Sequence, residues 1–155
     1  MNATIPEPGP HYEALLQLLR TSESIWNASR VFLDRWDLSP SQFNILNVLR
    51  DHPEGTTQIE LSRKLIMHRS NVTGMIDRLQ QRRLVVRRDN PDDRRAYRIG
   101  LTKDAHKLLD EVLPAYYGAA EAVFAAFSQK RSRELAEELA TLEKNVARFT
   151  DSLPH

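Results

Sequence analysis

The chain has no cysteine among its 155 residues. That absence excludes disulfides, thiolate metal sites, cysteine nucleophiles and thiol-based redox sensing together. No run approaches the roughly 20 apolar residues of a membrane-spanning helix. The N-terminus also lacks a basic stretch followed by an apolar one, so a cytoplasmic protein without a membrane partner is expected. Internal repeats and low-complexity tracts are missing too. There is no glycine-rich phosphate loop, no nucleophile with a base and an orienting group, and no pair of carboxylates in an apolar setting. These gaps argue against an enzyme and against a bound cofactor. The five histidines, at 11, 52, 68, 106 and 155, lack the spacing of a metal site.

What is present describes a globular protein. Hydrophobic residues make up 41% and charged residues 28% of the chain, within the ordinary range. The length fits one domain, or one compact domain with an appended helical part. Net charge is only +1, yet residues 58–98 hold 11 Lys or Arg against 5 Asp or Glu, and the remainder holds 11 against 16. A cationic module therefore sits on an acidic body.

Residues 1–10, with three prolines and a glycine, read as a flexible arm. Apolar residues then recur at helical spacing from His11 to Trp36. Ser39, Pro40 and Gln42 form a capping box that opens a second helix, filled inward by Phe43, Ile45, Leu46, Val48 and Leu49. Thr57 and Glu60 repeat the motif for a short third helix carrying Ile59, Leu61 and Leu65. Over Ser70 to Arg82, Val72, Met75, Ile76 and Leu79 make one stripe of a fourth helix.

"LVVRR" and "YRIGL" read as strands joined by the turn residues Asn90 to Asp93. Thr102 caps a long helix whose stripe runs from Leu108 to Phe127, with a bend expected at Pro114. A last helix is expected over Ser132 to Thr150.

A short capped helix followed by a helix with a polar outer face is how a helix-turn-helix presents side chains to the major groove. Ser70, Thr73, Gly74 and Asp77 lie opposite the apolar stripe, with Asn71 and Arg78 on a flank. An ordinary solvated helix face would show the same pattern. Asp77 fits poorly beside phosphates, so an intramolecular arginine partner is expected for it. The hairpin that follows places five arginines around an acidic turn in "RRDNPDDRRAYRIGLT".

At this point the chain resembles the MarR family of winged helix-turn-helix regulators, over about Leu15 to Phe149. The most specific piece is "DDRRAYRIGLT", where Asp93, Arg95, Leu101 and Thr102 occupy the family's wing signature of D-x-R followed by L-T. "LSPSQFNILNVL" and "VTGMIDRLQQRRLVVRRDNPDDRR" also look like its second helix and its recognition helix running into the wing. One departure is Arg83, which stands where the family commonly has glycine and implies a less comfortable backbone.

The resemblance implies a mostly α fold with a small β hairpin. It divides into an arm over 1–10, a dimerisation helix over 11–36, a winged helix-turn-helix domain over 37–101 and C-terminal dimerisation helices over 102–155. Its partners are double-stranded DNA and a second copy of itself. His68, Arg69, Ser70, Asn71, Thr73, Gly74 and Arg78 are expected at the major groove. In the wing, Arg95 enters the minor groove with Asp93 holding it in pose, while Arg87, Arg88, Arg94 and Arg98 meet phosphates. The resemblance also implies a repressor released by a small aromatic or phenolic effector, with Trp26 and Arg30 near Phe43 and Asn47 as its candidate site. Core packing plus an exposed arginine is the favoured explanation of those four residues. A dimeric architectural protein that binds DNA without choosing a sequence, and has no small-molecule switch, remains the alternative.

Overall fold

The computed structural model describes residues 7–65, 72–91, 93 and 95–154. The expected sites at His68, Arg69, Ser70, Asn71 and Arg94 lie outside the described residues. In chain order the elements are α1 (Pro10–Leu33), α2 (Pro40–Arg50), β1 (Thr56–Thr57), α3 (Gln58–Lys64), α4 (Val72–Gln81), β2 (Val85–Asp89), β3 (Tyr97–Leu101), α5 (Lys103–Val123) and α6 (Gln129–Ser152). The molecule is mostly helical with one small antiparallel sheet, ordered β1-β3-β2. Among the described residues, no helix is long and apolar enough to cross a membrane.

The chain divides into two compact units, Met1–Val112 and Leu113–His155. In the first, both capping boxes form as the residue types dictate. Ser39 Oγ accepts the Gln42 N–H at 3.2 Å, and Gln42 Oε1 accepts the Ser39 N–H at 2.9 Å. Thr57 Oγ1 accepts the Glu60 N–H at 3.3 Å, and Glu60 Oε2 accepts the Thr57 N–H at 3.0 Å. Satisfying orphan amides in this way fixes where α2 and α3 begin. Their apolar faces meet α4 and the sheet. Leu33, Ile45, Leu46, Leu49, Leu61, Ile76, Leu79, Ile99, Leu109 and Val112 are fully buried there. Each such side chain contributes about 1.5–3 kcal/mol.

Several boundaries differ from the sequence reading. Pro10 is already helical, and the first helix ends at Leu33, followed by a 3-10 turn over Asp34–Trp36. Asp37 then takes a left-handed φ of 52°, and Leu38 N–H reaches back to Leu33 O at 3.2 Å. This is a helix stop made without glycine. The two-residue strand β1 was not expected. It exists because Gly55, at φ 78°, brings the chain against β3, where a Cβ would lie 2.9 Å from Ile99 O. Ile59 does not join the core and is 67% exposed.

In β3, Tyr97 is exposed while Ile99 and Leu101 are buried. Pro114 lies inside α5 without stopping it, and the helix ends at Val123, short of Phe127. In the second unit Phe124 and Phe127 pack with ring centroids 5.5 Å apart. Ser128 caps α6 three residues earlier than expected, accepting the Arg131 N–H at 3.2 Å.

Candidate nucleic-acid interface

Helix α4 buries Val72, Met75, Ile76 and Leu79 and leaves Thr73 and Arg78 exposed. Its stripe therefore faces inward, and its polar side is available. Asp77 has the expected arginine partner: Arg87 of β2 donates from Nη2 to Asp77 Oδ1 at 2.5 Å, and from Nη1 to Gln80 Oε1. One guanidinium thus cancels the only acidic charge on α4 and ties the wing to that helix. Arg78 folds back on its own helix, donating from Nε to Gly74 O at 3.1 Å.

The end of α4 is also fixed. Arg83 takes φ 59°, so the residue standing in for the family's glycine does occupy the left-handed conformation that glycine tolerates. Leu84 N–H bonds Leu79 O at 2.9 Å and Arg83 N–H bonds Gln80 O at 2.9 Å, the Schellman pattern with buried Leu79 and Leu84 as its apolar contact. Arg82 reaches the equivalent stop after the 3-10 turn. Its guanidinium donates to Asp37 O, lies 3.4 Å from Trp36 O and 3.3 Å from the Asp37 carboxylate. Two helix ends are pinned together by one side chain.

The wing is a ladder from Val85↔Leu101 to Asp89↔Tyr97. Its tip closes on Asp93. The carboxylate accepts the backbone N–H of Arg95 at 2.9 Å, and the Asp93 carbonyl accepts that of Ala96 at 3.1 Å. Asp93 therefore positions Arg95 through the main chain and leaves its exposed guanidinium to reach outward. Arg98 turns inward instead, donating from Nε to buried Asn90 Oδ1 at 3.1 Å and from Nη1 to Gly55 O at 3.4 Å. Arg88 is exposed. Of the arginines grouped by sequence as phosphate-facing, Arg87 and Arg98 are tied into the scaffold, and Arg88 faces solvent.

Thr102, at the end of the wing signature, joins three pieces. Its Oγ1 accepts the Ala105 N–H at 3.1 Å, opening α5, and donates to Arg83 O at 2.7 Å behind α4. At the sheet's other edge, hydrogen bonds from Thr57 and then Thr56 hold the Glu60 carboxyl well below its ordinary 4.5, at about 2.

The four residues considered for an effector do not all line one hollow. Arg30 lines a hollow of about 640 Å³ with Asn27, Val31, Asp34, Asp37, Leu38, Ser39, Pro40 and Gln42, whereas Trp26, Phe43 and Asn47 are not in its wall. Phe43 is buried in the core and Trp26 is 40% exposed. Among the described residues, Asn47 Oδ1 is buried without a hydrogen-bond partner, as is Asn44 Nδ2 one turn earlier. Sequence reasoning also missed Gln58, whose Nε2 donates to Thr73 Oγ1 at 2.6 Å. Only the fold brings these two residues together.

Comparison with known proteins places this geometry. A MarR family model matches residues 36–96. The chain is 31% identical over 120 residues to the HTH-type transcriptional regulator YsmB of Bacillus subtilis, covering 77% of each chain. It is 26% identical to the regulator FarR of Neisseria gonorrhoeae, over 90% of this chain and 97% of that one. Among solved structures, the transcriptional repressor CouR bound to a 23-mer DNA duplex is similar with a TM-score of 0.77 and 25% identity, over 90% of this chain and 99% of that one. With the wing signature, the capped helix pair and these relatives in agreement, the chain belongs to the MarR family of winged helix-turn-helix transcriptional regulators, which bind DNA and are not enzymes.

Proposed function

We propose that the chain works as a homodimer in the cytoplasm, binding a near-palindromic operator whose half-site centres lie about 10 base pairs apart. In this reading α4 enters the major groove and the wing reaches the adjoining minor groove. The observation that carries it is the sorting of charge on one surface. Asp77 is neutralised by Arg87, while Arg88 and Arg95 stay exposed. A narrow minor groove concentrates negative potential and favours a guanidinium such as that of Arg95.

Thr73, Gly74 and Arg78, with Ser70 and Asn71 before them, read bases; His68, Arg69, Arg88 and Arg94 anchor phosphates. Arg87 and Arg98 act mainly by holding the frame, as their inward bonds suggest.

Three helices supply the dimer surface: α1, over 11–36 with its following turn, and the C-terminal helices α5 and α6 within 102–155. Of these, α1 and α6 each carry an apolar stripe that their own unit leaves uncovered. Tyr12, Leu15 and Leu19 on α1, and Leu142, Val146 and Phe149 on α6, are exposed. The regulator acts as a repressor that a small aromatic or phenolic compound releases. The support for that role is the Arg30 guanidinium, which suits a carboxylate and lines an open hollow together with Asp34 and Asp37.

The test is the ratio of operator to random-DNA affinity at fixed salt, with the operator selected from genomic fragments. A sequence-reading dimer gives a ratio of about 10³ or more. A ratio near one is the outcome for a sequence-tolerant architectural protein and overturns the proposal.

A further inference from the structure

Thr73 stands in the first turn of α4 on its exposed side. Its neighbours Val72 and Met75 are buried, so the backbone carrying it is fixed. Its hydroxyl oxygen accepts from Gln58 Nε2 at 2.6 Å, across fifteen positions of sequence. Gln58 is fixed as firmly. It follows the capping residue Thr57, which is paired to Arg98 in the sheet, and its own carbonyl accepts the Ser62 hydroxyl at 2.7 Å. Two polar side chains on separate elements are therefore joined before any DNA arrives, which lowers the ordering cost of using them as a pair.

The bond also decides what the pair offers. The amide N–H takes one lone pair of the hydroxyl oxygen, so the Thr73 O–H points away from Gln58 and is free to donate. The amide Oε1 stands beside it as an acceptor. In the major groove only adenine shows an acceptor and a donor on one base, N7 and N6. Guanine shows two acceptors, cytosine a single donor, and thymine an acceptor beside a methyl group. We infer that Gln58, through its bond to Thr73, is a specificity-determining residue that selects adenine at one position of each half-site. The inference rests on the proposed seating of α4 in the major groove.

Binding-site selection from a random duplex library tests both and separates them. Wild-type protein should select a motif with an adenine-dominated position in each half-site, preferred about tenfold over other bases, the scale of one good bidentate contact. Gln58→Leu and Thr73→Val should select the same motif with that single preference reduced to about twofold or less and all other positions unchanged. As a check that needs no variant to fold, 7-deazaadenine at that position of the wild-type site should weaken wild-type binding about tenfold, because N7 no longer accepts. A Gln58→Leu motif identical to wild type, a change confined to a base other than adenine, or indifference to 7-deazaadenine overturns the inference and leaves the seating of α4 standing. Failure of wild-type protein to select any motif overturns both.

Discussion

Helices α4 and α6 carry the same kind of apolar stripe and meet opposite fates. The four stripe residues of α4 are all buried, whereas α6, with 24 residues, buries none, and Val146 and Phe149 remain 56% and 63% exposed. Helix α1 resembles α6, since of its 24 residues only the last, Leu33, is buried. An amphipathic pattern states that a face must be covered but not by what. For α4 the cover is α2, α3 and β2 of the same chain. For α1 and α6 the proposed cover is a second copy, because stripes this long left in water are costly and prone to association. The winged part thus covers its own stripe, and the long helices leave theirs exposed.

Substitutions on the two stripes should separate these roles. Ile76→Ala, in the α4 stripe, should destabilise the winged unit by about 2–5 kcal/mol, measured by urea unfolding. Phe149→Asp, in the α6 stripe, should leave that unit folded, with its amide-exchange protection intact, while removing operator binding. Loss of protection in Phe149→Asp would erase the contrast. A smaller effect is expected at the clamp between the two helix ends. Arg82→Met removes bonds to Asp37 and Trp36 and should cost about 1 kcal/mol in thermal unfolding, with Arg82→Lys recovering part, since an ammonium lacks the fork.

Arg83→Gly should act in the other direction. Relieving a left-handed non-glycine backbone should stabilise by about 1 kcal/mol, seen as a raised midpoint in the same assay. The smallest effect is confined to acid. The Glu60 carboxyl is depressed from 4.5 to about 2 in the folded chain, so its contribution is full above 4.5 and fades as pH falls toward 2. Glu60→Gln should flatten the stability profile across that window and no other.

Much of this was readable from short-range chemistry. The capping boxes at Ser39 and Thr57, the α4 stripe and the wing strands each depend on residues within a few positions of one another. What escaped depends on the fold closing. β1 requires the left-handed Gly55 and a partner strand more than forty residues away. The arginine partner of Asp77 was foreseeable, but its identity as Arg87 follows only from the course of β2 beside α4. Gln58 looks like a helix-start residue until Thr73 arrives beside it. Ile59 counts as apolar in any periodicity, yet its place at the start of α3 turns it to solvent. The inward turn of Arg98 likewise needs Gly55 and the buried Asn90.

The account depends most on two winged units being held together by their long helices. Sedimentation equilibrium of the full chain at micromolar concentration, alone and with a selected operator duplex, measures this directly. The account predicts a dimer in free solution and two chains per duplex. A monomer in free solution that binds DNA one chain at a time, with no dimer at any concentration reached, would contradict it.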